Sequence, residues 1–150
     1  MIYLTLDDDY THDIQETCVE TSALAALSQQ KASPESDLSI VFTGNAEIQE
    51  LNKTFLDSNH PTDVLSFPAG EIDPDTGHLY LGDIIISVPQ AKAQAEAGAH
   101  PLQQEIEVLV VHGVLHLLGH DHAEDEEKAR MWLAQKEILA LCLNPLAAQF

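Results

Sequence analysis

Hydrophobic and polar positions along the chain follow two periods, one typical of β-strands and one typical of helices. Alternating positions or short apolar runs rich in β-branched residues predict four strands, at residues 2–6, 38–43, 62–68 and 79–87. Pro68 is predicted to end the third strand, because proline donates no hydrogen bond to a sheet. The fourth strand contains Ile84, Ile85 and Ile86 in succession, and this apolar run predicts a strand covered on both faces.

Apolar positions that recur every three or four residues predict helices between and after these strands. The predicted helices cover residues 13–27, 46–55, 89–97, 105–118 and 124–143. Gly98 and Gly119 end the third and fourth of them, and Asn45 is predicted to cap the second. This order of elements predicts one α+β domain over residues 1–150, in which a mixed four-stranded sheet is packed with helices.

The predicted helix at residues 105–118 is apolar on most sides, which indicates a buried helix, but it also carries two histidines. His112 and His116 lie four residues apart, so their imidazoles project from one face, one turn from each other. Gly119 then turns the chain, which can carry His122 back toward this pair. Three neutral imidazoles that converge in this way form a good site for one divalent metal ion. The metal site is therefore predicted on a central helix and the turn that follows it.

Two alternatives to this ligand set are open. His120 could replace His122, but on a continued helix it would lie ~12 Å along the axis from His112, far for ligands each ~2 Å from one ion. His122 is therefore the predicted third ligand. The other alternative is that the histidines are ordinary core residues with hydrogen-bond partners. The presence of three histidines at this spacing disfavours that alternative. Asp121 could accept a hydrogen bond from a ligand imidazole and fix its tautomer, or it could cap the following helix.

The charge of the chain, taken alone, argues against nucleic acid as a ligand. Only 6 lysine and arginine residues oppose 25 aspartate and glutamate residues, which gives a formal net charge of −19. Such a surface repels polyphosphate and weakens any binding that depends on counterion release. We also expect no membrane span and no leader, and the two cysteines are too few for a disulfide framework. We therefore expect a cytoplasmic protein without membrane association.

Residues 112–122 read H-G-V-L-H-L-L-G-H-D-H, which resembles the signature of the YbeY family of rRNA maturation factors, metal-dependent endoribonucleases. Two further blocks are similar to the same family in the same order. They are P-T-D-V-L-S-F-P at residues 61–68 and L-G-D-I-I-I-S at residues 81–87. The resemblance extends from about Asn45 to about Leu143.

The resemblance implies a site and a role. It implies one divalent ion, usually taken to be zinc, held by His112, His116 and His122. It also implies that single-stranded RNA lies in a cleft bordered by the strand at residues 62–68, where Ser66 is a candidate lining residue. Members of the family act in maturation of small-subunit (16S) rRNA and in ribosome quality control. The implied partners are therefore ribosomal RNA and the small ribosomal subunit.

Two positions depart from the family pattern. His120 stands where the family usually has tyrosine, a residue that is not one of the three ligands. Leu56 stands where the family typically has an arginine that engages RNA phosphate, and leucine cannot donate the paired hydrogen bonds that arginine donates. Lys53, one helical turn away, could supply a point charge in the cleft, or it could be an ordinary solvated lysine.

The expected nucleophile is a water activated by the metal, since no side chain of the histidine motif is an obvious general base. Gly113 occupies the position where zinc peptidases with the same histidine spacing carry glutamate, which disfavours peptidase chemistry. The rival hypothesis is a non-catalytic or weakly catalytic ribosome-assembly factor. In that protein the metal would be structural, and the acidic surface would dock basic ribosomal proteins. The net charge and Leu56 favour the rival, whereas the ligand set favours catalysis.

Overall fold

Four strands and five α-helices form the fold, and the computed structural model describes all 150 residues. The strands are β1 (Ile2–Leu6), β2 (Ser36–Thr43), β3 (Val64–Ile72) and β4 (Leu79–Ser87). The helices are α1 (Glu16–Gln29), α2 (Asn45–Leu56), α3 (Val88–Ala97), α4 (Leu102–Leu117) and α5 (Asp125–Leu141). Short 3-10 turns lie at Asp8–Tyr10 and Pro145–Gln149. The predicted α+β class is confirmed.

The strands form one mixed sheet in the order β1-β2-β4-β3. β1, β2 and β4 run parallel, whereas β3 runs antiparallel to β4 and forms an edge of the sheet. Ser66 of β3 lies opposite Ile84 of β4. This register fixes the position of Ser66 relative to the strand on which the histidine helix packs. The predicted mixed four-stranded sheet is therefore confirmed.

Helix α4 lies at the centre of the fold and packs against β3, β4, α1, α3 and α5. A Cβ atom at Gly113 would come within 2.7 Å of Ile84 Cγ2, so the missing side chain lets α4 approach the sheet closely. On the opposite face of the sheet, Ile48 of α2 packs with Leu65 and Ile85 in a smaller buried cluster. β4 is therefore covered on both faces, as its run of isoleucines predicted.

The third strand differs from its prediction, because β3 continues through Pro68 to Ile72. Its pairing with β4 shifts register between Pro68 and Glu71, and Pro68 lies opposite Gly82. A proline is tolerated here because β3 is an edge strand and the ladder is interrupted by an irregularity. The first residues of α2 differ too: Gly44 is the N-cap, and the side chain of Asn45 accepts a hydrogen bond from Ser87 Oγ at 2.6 Å.

Both cysteines, Cys18 and Cys142, are free thiols. None of the helices is long and apolar enough to span a bilayer.

Candidate metal centre

The last two turns of α4 and the segment after it bring three imidazoles together. One nitrogen each of His112, His116 and His122 lies within 4.8 Å of the other two. The Nε2 atoms of His112 and His116 are 2.9 Å apart. His112 and His116 are half-buried and His122 is exposed, so the group opens to solvent on the side of His122.

A glycine turn carries His122 back to the helix. Gly119 has a φ of +97°, a left-handed backbone conformation that glycine adopts without strain. The N–H of His120 donates to the carbonyl of Leu115 at 3.0 Å, and the N–H of Gly119 donates to the carbonyl of His116 at 3.1 Å. These two bonds form a Schellman motif, which ends α4 and reverses the chain direction.

The hydrogen bonds of the two helical histidines fix which ring nitrogen carries the proton. His116 Nδ1 donates to the carbonyl of His120 at 2.8 Å, and His112 Nδ1 donates to Gln135 Oε1 at 2.8 Å. Because both partners are acceptors, the Nδ1 atoms hold the protons and the Nε2 lone pairs face each other. Two zinc ligands that are each about 2.0–2.1 Å from a tetrahedral ion lie roughly 3.3 Å apart. The residues therefore fit a divalent ion, which would relieve the repulsion between the lone pairs.

Burial keeps these imidazoles neutral. Burial, and next the charge that His116 would carry, lower the pKa of His112 to about 4. Burial also lowers the pKa of His116, although its hydrogen bond to the backbone of His120 acts in the opposite direction. Neutral imidazole is the form that binds a metal, so at neutral pH both rings are ready to act as ligands.

Gln135 orients His112, and sequence reasoning missed it. This glutamine is only 1% exposed and lies on α5, which packs behind α4. The signal that could have found it is a polar residue within the apolar stripe of α5, between Met131 and Ile138. The carboxylate of Asp121, a candidate partner of a ligand imidazole or cap of the next helix, accepts a hydrogen bond from the backbone N–H of His122 at 2.7 Å.

We predict that Gln135→Leu lowers the affinity for zinc roughly 10- to 100-fold, because it removes the acceptor that orients His112. Trp132, the only tryptophan, has its ring centre 6.3 Å from that of His112 and 6.4 Å from that of His122, so its fluorescence can report binding. Gln135→Glu keeps an acceptor and should bind zinc nearly as wild type does. A folded Gln135→Leu variant with wild-type affinity would show that Gln135 does not position the ligand.

The histidines lie in an open cleft with a volume of about 710 Å³. Its walls are the histidine turn and the start of β3, and its lining residues are Leu56, Thr62, Asp63, Val64, Leu65, Ser66, Pro68, His112, His116, Gly119, His120, Asp121 and His122. No lysine or arginine is among them, so Lys53, which was a candidate for the cleft or for an ordinary solvated lysine, does not line the cleft. Ser66 does line it, but its hydroxyl donates to the carbonyl of Gly113 at 3.2 Å.

His120 and Arg130 lie beside a second cavity of about 300 Å³ that adjoins the histidine turn. The ring of His120 contacts Gln30 Oε1 at 2.6 Å, and it does not belong to the group of three converging imidazoles. Burial, and next the charge of Arg130, lower the pKa of His120. The structure thus groups His122, and not His120, with the two helical histidines.

Comparison with known proteins gives consistent matches over most of the chain. A family model described as Endoribonuclease YbeY matches residues 5–142. The Endoribonuclease YbeY of Halalkalibacterium halodurans is 40% identical over 134 residues, which cover 83% of this chain and 84% of that protein. The Endoribonuclease YbeY of Oceanobacillus iheyensis is 40% identical over 141 residues, which cover 87% and 92%. The solution structure of TM1509 from Thermotoga maritima matches with a TM-score of 0.65 and 25% identity, covering 99% of this chain and 93% of that chain.

Proposed function

The chain belongs to the YbeY endoribonuclease family, as its three sequence blocks predicted, and from this premise we propose that it is a metal-dependent endoribonuclease specific for single-stranded RNA. The proposed substrate is precursor small-subunit (16S) rRNA, cut late in maturation and during ribosome quality control. The small ribosomal subunit is the proposed partner, and the cytoplasm is the proposed location. The observation that carries the proposal is the group of three imidazoles in an open cleft.

The proposed ligands of one divalent ion are His112, His116 and His122, and zinc is the proposed ion. Three protein ligands with a position left open are typical of catalytic zinc sites. When bound, such an ion supplies Lewis acidity, which polarises a phosphoryl oxygen and makes a water in the cleft more acidic. Gln135 and the carbonyl of His120 hold the Nδ1 protons, which leaves the Nε2 atoms of the two helical ligands free.

The other residues of the cleft position the RNA strand. The hydrogen bond from Ser66 to the carbonyl of Gly113 ties β3 to α4, so the two walls of the cleft keep a fixed separation. An RNA strand that lies along residues 62–68 is therefore held beside the histidines, and this orientation is itself a large part of catalysis. Gly113 places no carboxylate next to the first ligand, which supports phosphodiester rather than peptide chemistry.

Cleavage of a labelled single-stranded RNA by the zinc-loaded protein tests this proposal. We expect cleavage that a chelator abolishes and that added zinc restores, with a duplex of the same length left intact. Elemental analysis of the purified protein should give one equivalent of metal. If no divalent metal tested supports chelator-sensitive cleavage, the proposed enzyme activity is excluded.

A second candidate function is a ribosome-assembly factor with little or no catalytic activity, in which the metal is structural. The observation that favours it is the lack of a lysine or arginine in the cleft wall, which contains Leu56, the residue that the sequence resemblance aligns with the family arginine. In that case the acidic surface, with a net charge of −19, would dock basic ribosomal proteins.

Leu56→Arg separates the two candidates. A hydrogen bond from arginine to a charged phosphate contributes about 1.5–3 kcal/mol, so this variant should lower KM about tenfold or more if the protein is an enzyme. Leu133→Arg adds the same charge at an exposed leucine on α5 and serves as the control. If metal-loaded Leu56→Arg cleaves no RNA but the wild type cosediments with small ribosomal subunits, the assembly factor is the better description.

A further inference from the structure

The acidic cleft needs a way to hold RNA that does not depend on phosphate contacts. None of the 6 cationic side chains of the chain lines the cleft, and the chain carries 25 carboxylates. Electrostatic attraction normally supplies most of the non-specific affinity of a protein for nucleic acid. In this cleft the proposed metal ion is the only positive charge available to phosphate, so further affinity must come from another part of the RNA.

The last turn of α2 carries two large, exposed apolar side chains, one of which lines the cleft. Phe55 is 64% exposed and Leu56 is 57% exposed. Leu56 is part of the cleft wall, and Phe55 precedes it in the chain and packs against Phe67, which contacts the small cluster under α2. This pair, here called the apolar rim, therefore extends from the cleft wall around the edge strand β3. The helix ends directly after the rim, at Asp57, which has a left-handed φ of 53°.

The ring of Phe55 is held in place although most of it is exposed. It packs edge to face against Phe67 of β3, with ring centres 5.5 Å apart and an angle of 70° between the rings. An aromatic pair of this kind contributes stability beyond the area that it buries. Phe55 is therefore a supported aromatic surface beside an apolar wall residue.

We propose that the apolar rim, Phe55 and Leu56, binds a nucleobase of the single-stranded RNA next to the nucleotide that lies at the histidines. This inference rests on the proposed function. Stacking of a base on an aromatic ring needs no cation and tolerates every base, because every base has a π-face. It also requires an unpaired base, so the rim selects single-stranded over duplex RNA. The rim thus replaces the phosphate contact that the family arginine would make.

Two observable properties follow from base contacts of this kind. Binding should be only weakly salt-dependent, with a log–log slope no steeper than one or two phosphate contacts give, at roughly 0.7 each. An abasic nucleotide placed at successive positions of the RNA should weaken binding at one position, the one that faces the rim. Leu56→Arg should make the salt dependence steeper by about one phosphate contact.

The test is a binding measurement on the zinc-loaded protein with a fluorescent, 2′-O-methylated single-stranded RNA that cannot be cleaved. Loss of one stacked base reduces affinity roughly 5- to 100-fold, and we expect this loss for Phe55→Ala. Phe55→Trp keeps an aromatic face and should bind at least as tightly as wild type. Tyr3→Ala is the matched control, because Tyr3 is an aromatic residue, 49% exposed, on the opposite edge strand.

In Phe55→Ala, the abasic nucleotide at the sensitive position should cause no further loss, since the contact is already absent. Wild-type affinity for the folded Phe55→Ala variant would overturn the inference, and chelator-sensitive cleavage by the same preparation would leave the proposed function intact. A wild-type protein that neither binds nor cleaves RNA would overturn both. A wild-type dimer that Phe55→Ala converts to a monomer would also overturn the inference, because the rim would then be a self-association surface.

Discussion

His116→Ala is expected to remove the metal from the purified protein and with it all chelator-sensitive RNA cleavage. The three ring centres form a triangle, in which His116 is 4.5 Å from His112 and 5.3 Å from His122, and His112 is 5.9 Å from His122. Its loss leaves only two of the three imidazoles that converge on the site. The loss of affinity should therefore exceed the roughly 10- to 100-fold that removal of an outer hydrogen-bond partner costs.

Elemental analysis and the fluorescence of Trp132 measure this loss directly. His120→Ala is the control, because it removes an imidazole from the same turn that does not belong to the converging group. We expect it to keep one equivalent of metal, since its backbone carbonyl remains available to His116. A His116→Ala protein that still holds a full equivalent would exclude the proposed ligand set.

Gly82→Ala should cause a larger loss of stability than alanine at the other glycines with positive φ. A Cβ at this position would come within 2.2 Å of the carbonyl oxygen of Phe67, and Gly82 has a φ of +140°. Backbone strain and overpacking each cost about 1–3 kcal/mol, so a free-energy loss of about 3 kcal/mol or more is expected. For a chain of this length, that lowers Tm by roughly 6–12 °C.

Gly77→Ala provides the matched control for thermal and urea unfolding. Gly77 also has a positive φ, +73°, but no atom lies within 4 Å of its potential Cβ. It should therefore lose only the roughly 1–2 kcal/mol that the left-handed conformation costs an L-residue. Equal losses for the two variants would show that the close approach of β3 and β4 at Gly82 is not what demands glycine.

The element order and the mixed sheet could be predicted because period and β-branched content are local properties of the sequence. The extension of β3 could not, because Pro68 is tolerated only at an edge strand with an irregular ladder, and strand order is a tertiary property. The predicted cover on both faces of β4 was correct, since Ile84, Ile85 and Ile86 in succession leave no polar face for water.

The helical part of the candidate site could be predicted from the sequence, because helical spacing places His112 and His116 on one face. The turn after the helix could be predicted too, because Gly119 is a typical helix-ending residue. The apolar stripe of α5 marks Gln135 as unusual, but its contact with His112 could not be predicted, because that contact depends on how α5 packs behind α4. The position of Lys53 could not be predicted from the sequence either. It lies near Leu56 in sequence, yet it does not line the cleft, which only the packed structure could reveal.

The three imidazoles differ in how firmly the chain holds them. Two project from a helix that is packed into the core, whereas His122 lies on an exposed segment beyond the helix end. Exposed segments with few buried contacts open locally at a small fraction of the free energy of global unfolding. Exchange of a bound ion would therefore proceed through detachment of His122, at a rate set by fluctuations of this segment. The residence time of the metal and the stability of the fold can then vary independently of each other.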